Sequence, residues 1–392
     1  MRKMKNLIIG AASLALAILT CTGTEVGKIM RKAAFASAGV FDGADKPEET
    51  HKPLSDSSSS VSEITAQYSE SVMSMIESAQ SESRSETNTK SGEIISLNRS
   101  DAADDTDYSQ FTERSGAINR YTIGKMPGTD YITLESGAQV WNCTEIDNSV
   151  LEKAADEMPE FHKNADKSPR VLIYHTHTSE AYLDEFTHSN ESFLPKADWY
   201  DKSYPLRSAD CSRNMVAVGD ALCEALAKNG VSVIHECKTH DYPMFTGAYY
   251  RSADSVSGIL EKYPDIDIII DLHRDGIVQS DGSLGAPVCE VNGKTAAQFM
   301  IISCCENEDF DMPNYIENFK LACLLQNTAE EMYPGISRPV LFDYRNYNQD
   351  LSAGALLIEV GSHGNSLDEA LYTGELLGNV IARALEKGAI QD

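Results

Sequence analysis

Positive charge is scarce in this 392-residue sequence, where 33 Lys and Arg stand against 60 Asp and Glu for a net charge of -27. It has no dense basic run and no zinc-finger spacing. A phosphate backbone needs a basic stripe to bind, so nucleic acid is excluded as a partner. Paired cysteine motifs are also missing. Cys21, Cys143, Cys211, Cys223, Cys237, Cys289, Cys304, Cys305 and Cys323 form no CxxC pair and no framework of the kind small secreted folds use. Adjacent Cys304 and Cys305 cannot bond each other without strain, and no disulfide is assigned. There is no internal repeat. Long apolar runs are absent except near the start.

There Arg2, Lys3 and Lys5 precede an apolar run over 7–20, the order of an export signal. Extended through tolerated Thr and Gly to Val26, the run reaches about 20 residues, near the length of a bilayer span. Cys21 follows Ile18-Leu19-Thr20 rather than a small residue, which argues against lipidation. The expectation is a single-span anchor over 1–30 with the remainder outside the cytoplasmic membrane; the alternative is a secreted chain after signal cleavage. Residues 31–115 are rich in Ser, Thr, Asp and Glu and bury too little apolar surface to offset ordering entropy, so they read as a disordered tether. Within it, 61–79 has some helical periodicity. The catalytic domain is expected over 116–392, as a lead-in at 116–168 and an α/β core at 169–392.

In the lead-in, 131–141 reads as a strand pair around Gly137, and 149–158 as a helix with an Asn/Ser cap. From Val171 strands alternate with helices: strands at 171–174, 231–236, 266–272, 286–291, 298–303 and 355–360, and helices at 210–229, 247–262, 313–332 and 366–387. Gly230 after Lys228-Asn229 is a helix stop, and Asn365-Ser366 a start. This order predicts a three-layer α/β domain with a mostly parallel sheet.

Three stretches carry chemistry. VLIYHTHTSEAY (171–182) runs from a buried strand into His175, His177 and Glu180, at the carboxyl edge where open α/β sheets place their sites. Three residues apart, His177 and Glu180 can share one metal ion if the chain turns helical after the strand. IDIIIDLHRDG (266–276) is a second apolar strand ending in a histidine, His273, with Arg274 and Asp275 beyond it. ALLIEVG (355–361) places Glu359 inside an apolar strand, where an unpaired carboxylate costs several kcal/mol. Glu359 therefore needs a polar cleft with a shifted pKa, or a buried ion pair with Arg345 or Arg274. Zinc on His177, Glu180 and His273 with Glu359 as general base would hydrolyse an amide. His175, two residues from His177, shares its face in an extended chain and could replace or assist it. Arg274, Asp275, Asn348 and Gln349 are further candidates to hold substrate or support the site, and Asp350 and Asn365 either line the cleft or form turns.

Taken together, YHTHTSEAY, DLHRDG and YNQDLSAGALLIEVGSHGNSLDEA (347–370) resemble the stage II sporulation protein P family, grouped with the zinc-dependent N-acetylmuramoyl-L-alanine amidases. The resemblance implies a zinc amidase fold and a membrane-anchored peptidoglycan hydrolase that cuts between N-acetylmuramic acid and L-alanine. Some members of the family also cut peptide cross-links. It further implies action with stage II sporulation proteins D and M during forespore engulfment, at the mother-cell membrane. By motif, His177, Glu180 and His273 match its metal ligands and Glu359 its catalytic glutamate. The insert over 183–207, with Trp199, has no counterpart in these motifs. Two rivals remain: a catalytically inactive wall-binding or scaffolding module, and a metal-dependent amidohydrolase barrel using His175, His177, His235 and His273, which would need eight strand-helix units.

Overall fold

A computed structural model describes residues 91–100, 104–162, 169–184, 199–307 and 311–390. The expected anchor, the tether up to residue 90, the periodic stretch at 61–79 and most of the 183–207 insert lie outside the described residues. Among the described residues, no helix is long and apolar enough to cross a membrane.

Five strands run side by side in one direction: β1 (Ile94–Leu97), β7 (Val233–Glu236), β5 (Val171–Tyr174), β8 (Ile268–Asp275) and β13 (Ala355–Ser362). Next to β13, β11 (Phe299–Cys304) runs antiparallel, followed by β12 (Val340–Asp343) and β4 (Gln139–Asn142) parallel to β11. The hairpin partner β3 (Tyr131–Thr133) closes the nine-stranded sheet. A smaller sheet has the order β10 (Lys294–Ala297), β9 (Leu284–Val291), β2 (Gly116–Tyr121), β6 (Trp199–Tyr200).

The main sheet is thus mixed, which corrects the expectation of a mostly parallel one. Its cause lies between β8 and β11, where the chain forms only strands. A parallel neighbour needs a crossover, usually a helix, to carry the chain back to the starting edge. With none there, β11 starts at the edge where β8 ends and runs the opposite way. The sheet is open, with β1 and β3 as its edges, and this excludes the closed amidohydrolase barrel. The assigned tether also proves too long at its carboxyl end. Residues 94–97, read as linker, pair with β7 as an edge strand, and 108–110 form a 3-10 turn capped by Asp107.

Strand alternation sends side chains to two helical layers. On one face Ile173, Ile270, Leu356 and Ile358 pack with α2 (Met215–Lys228), α4 (Tyr315–Met332) and α5 (Leu367–Ile390). On the other, Leu172, Tyr174 and Ile269 meet Val256 and Ile259 of α3 (Ala248–Lys262). The short α1 (Asn148–Ala155) starts at Asp147, whose side chain accepts from Ser149 N at 2.8 Å, rather than at the expected Asn/Ser cap. Asn214 caps α2 by accepting from Val216 N at 2.9 Å, and the chain leaves that helix at Gly230, φ +80°. Gly374 and Gly378 bring α5 close to α2: a Cβ there would lie 2.7 Å from Val218 O and 2.5 Å from Leu222 O. That approach fixes the layer beneath the edge where β5, β8 and β13 end.

Candidate active site

At that edge, β8 and β13 are in register so that Glu359 lies opposite His273, and Leu357 opposite Asp271. A register irregularity follows between Glu359 and Ser362. After Tyr174 the chain does not continue as strand. It turns, with Glu180 N donating to His177 O at 3.1 Å, and this turn carries His177 and Glu180 over the ends of β8 and β13. Tyr182 Oη donates to Val360 O at 2.8 Å and ties the turn to β13.

His177, Glu180, His273 and Glu359 therefore gather. The His177 and His273 rings meet edge to face at 5.3 Å between centroids. His273 Nδ1 is 3.4 Å from Glu180 Oε2, and its Nε2 is 2.8 Å from Asp271 Oδ1 but outside hydrogen-bond angles. Asp271 is fully buried and also accepts from Thr176 N at 2.8 Å and Thr176 Oγ1 at 2.7 Å. His177 stacks on Phe245, with centroids 4.4 Å apart, and meets the edge of Tyr249.

These neighbours set the charges. Burial opposes charge on His273, but the Asp271 carboxylate and then Glu180 outweigh it and raise its pKa well above the usual histidine value. Burial likewise opposes the Glu180 carboxylate, yet the His273 hydrogen bond and the Arg274 guanidinium hold it well below the usual range. His177 is pushed down to about 4, chiefly by burial. Glu359 goes the other way: burial, then the neighbouring Asp275 charge, raise it to about 8. Its Oε2 is buried without a hydrogen-bond partner. Neither expected cation pairs with it. Arg345 Nε donates to Asp343 Oδ2 at 3.0 Å, and Arg274 donates to Ala181 O and Leu206 O, each at 2.9 Å.

The remaining candidates separate. His175 is not at this edge. It points into the α2 layer, with Nδ1 2.9 Å from Leu272 O and Nε2 2.9 Å from His235 Nε2. Arg274 clamps the turn, its N–H reaching Glu180 Oε2 at 3.3 Å, and Asp275 pairs with Arg338 at 2.8 Å. Asn348 donates to Ser252 Oγ at 3.0 Å and Tyr249 O at 3.2 Å, while buried Gln349 is spent on Cys304 N and Ile302 O of β11. Asn365 caps its own turn through Ser362 N and Glu369. Both Asn348 and Gln349 thus bind protein groups.

Four nearby residues were not foreseen. Asp271 is one, buried against His273. Asp241 accepts from Ser179 Oγ at 2.6 Å and Arg207 Nη1 at 2.9 Å and stands 4.0 Å from His177 Nδ1. His363, lowered to about 4 by burial and the Arg274 charge, donates its backbone N–H to Asp275 O. Arg338, the fourth, is buried with Nε and Nη2 unpartnered. The signal for Asp271 was present in the sequence, as a carboxylate inside an apolar strand.

Two imidazoles and a carboxylate are a zinc donor set. His177 Nδ1 is buried without a hydrogen bond and His273 Nδ1 faces Glu180 Oε2, which fits that use, while Asp271 holds His273 from its Nε2 side. Among the described residues, however, no three His, Cys, Asp or Glu already converge to hold an ion. The His273 imidazole lies between the Glu180 and Asp271 carboxylates, which favour its charged form.

A model of the Stage II sporulation protein P family matches residues 45–382. Stage II sporulation protein P of Bacillus subtilis (strain 168) is 28% identical over 240 residues, 58% of this chain and 54% of its own length, so the chain spans about half of that relative. Among solved structures, N-acetylmuramoyl-L-alanine amidase AmiC2 of Nostoc punctiforme is 13% identical with a TM-score of 0.33, covering 57% of this chain and 97% of that one. The CwlD amidase from Clostridioides difficile, in complex with the GerS lipoprotein, is 12% identical with a TM-score of 0.36, covering 57% and 100%. Matched by the family model over most of its length, from within the Ser-rich stretch to the last helix, the chain belongs to the stage II sporulation protein P family.

Proposed function

We propose that this protein is a zinc-dependent peptidoglycan hydrolase that cleaves the amide between N-acetylmuramic acid and the L-alanine of the stem peptide. The observation that carries this reading is the register of Glu359 against His273, with a buried, unpaired carboxylate oxygen at the edge where His177 and Glu180 also arrive. His177, Glu180 and His273 would hold the ion. When bound, zinc supplies Lewis acidity, polarising the scissile carbonyl and acidifying water.

The chain's own residues do the rest. Glu359, raised to about 8, sits close enough to neutrality both to accept a proton from the attacking water and to return it to the leaving amine. Asp271 and Arg274 orient His273 and Glu180. The fuller family picture is an anchored enzyme facing the wall during forespore engulfment, working with stage II sporulation proteins D and M and also cutting cross-links, and it is part of the same proposal. One observation favours the inactive wall-binding module: no three donors converge on an ion among the described residues. The test is the full-length chain and Glu359→Gln on purified peptidoglycan, with zinc content measured on both. Expected are bound zinc in both and stem-peptide release by the unsubstituted chain alone. Metal-free protein without turnover, or normal turnover by the substituted chain, refutes the proposal.

A further inference from the structure

The sequence YPMFTGAYY at 242–250 has no charged residue in a chain of net charge -27. In the structure it holds four exposed large apolar side chains: Tyr242 at 66%, Met244 at 63%, Phe245 at 39% and Tyr250 at 82%. Such a concentration on an otherwise polar surface marks a recognition site more often than chance exposure. It is not loose chain. Arg251 spends its guanidinium on this loop, donating to His240 O at 2.6 Å, to Thr246 O at 3.2 Å and to Met244 O. His240 Nδ1 lies 2.8 Å from His175 O, and Asp241 is held by Ser179 and Arg207. The rings are thus presented by a braced loop.

The loop is continuous with the site. Phe245 lies flat on His177, with an interplanar angle of 8°, and Tyr249 adjoins Tyr347 at 5.4 Å. Nearby cations are engaged: Arg207 with Asp241 at 2.9 Å, Arg251 with backbone carbonyls. At its outer end, Tyr242, Met244 and Tyr250, the patch therefore offers aromatic faces and two tyrosine hydroxyls, while the cation stacked against it, Arg207, lies at the inner end over the Phe245 ring at 4.8 Å with its charge shared with Asp241. An acidic stem peptide would need a cation. The flat C–H face of a neutral pyranose ring, with hydroxyls at its rim, matches aromatic rings that carry a polar tip.

We propose that Tyr242, Met244 and Tyr250 form a glycan platform that binds the sugar strand of the substrate and leads it to Phe245 and His177. This rests on the peptidoglycan reading of the site.

The test separates the two. Full-length chain carrying Glu359→Gln is incubated with glycan strands stripped of stem peptides, alone or with Tyr242→Ala or Tyr250→Ala added. Each alanine is expected to weaken binding by about tenfold, while Tyr242→Phe and Tyr250→Trp retain it. In the otherwise unsubstituted chain the same alanines raise KM and leave kcat unchanged. Binding indifferent to the alanines overturns the platform, as does equal loss in the aromatic replacements. So does an alanine effect confined to anionic phospholipid vesicles. Platform-dependent binding by a chain that never releases stem peptides supports the platform and sinks the amidase reading alone.

Discussion

Neutralising Asp220 should remove one distinct part, about 3 kcal/mol, of the protein's loss of stability on the alkaline side of neutrality. His175 Nδ1 faces the Leu272 carbonyl, which only accepts, so that nitrogen carries its hydrogen and Nε2 of a neutral His175 is the acceptor. His235 Nε2, 2.9 Å away, is then the donor. Its Nδ1 lies 3.0 Å from the Asp220 carboxylate, another obligate acceptor. His235 needs both hydrogens and is an imidazolium. Consistently, burial opposes the charge but the Asp220 hydrogen bond prevails and lifts His235 to about 9, while burial and the His235 charge push His175 down to about 3. A histidine whose folded pKa is raised contributes stability that is complete below its unfolded value and lost as pH climbs through the folded one. Between 6.5 and about 9 the folded chain holds one more proton, so stability falls by about 1.4 kcal/mol per pH unit, about 3 kcal/mol in all. His273 and Glu359 also titrate with raised values, so only the difference between proteins isolates this pair. The assay is urea unfolding of the full-length chain and Asp220→Asn at pH 6, 7.5 and 9.5. Asp220→Asn should be the weaker protein at pH 6, with the gap closing by about 3 kcal/mol toward pH 9.5. A gap that stays constant across this range refutes the imidazolium assignment.

Two further substitutions test the packing. Phe319 of α4 is fully buried against Phe342, with centroids 5.0 Å apart, and Phe319→Ala should cost about 3–5 kcal/mol, read as a lower urea midpoint with unchanged slope. Gly378→Ala is a contest of signs: helix propensity favours alanine by about 1 kcal/mol, but overpacking against Leu222 O at 2.5 Å costs about 1–3 kcal/mol. A net loss is expected, and a raised midpoint would show that α2 and α5 separate easily.

What the sequence revealed follows from which physical signals are local. Buried strands such as β5, β8 and β13 are rich apolar runs, and the long helices α2 and α5 each carry one clear end signal, Gly230 after α2 and Asn365-Ser366 before α5, so the core could be read directly although α2 starts at Met215, five residues later than expected. The short strands β1, β2 and β6 lack such runs and exist because of partners distant in sequence, as β1 does through β7. The antiparallel turn of β11 depended on an absent crossover rather than on any residue. At the site, the choice between His175 and His177 was framed by strand parity, but parity stops with the strand at Tyr174. From there the turn decides, taking His177 to the edge and leaving His175 beneath the sheet. Asp271 is the instructive omission. The rule that singled out Glu359, a carboxylate within an apolar strand, applies equally to Asp271, two residues before His273 in the neighbouring strand. The two buried carboxylates meet that rule in opposite ways: Asp271 remains charged by holding His273 and Thr176, whereas Glu359 has no hydrogen bond on its buried oxygen and is pushed toward neutrality. The first supports the site, and the second is left free to exchange a proton.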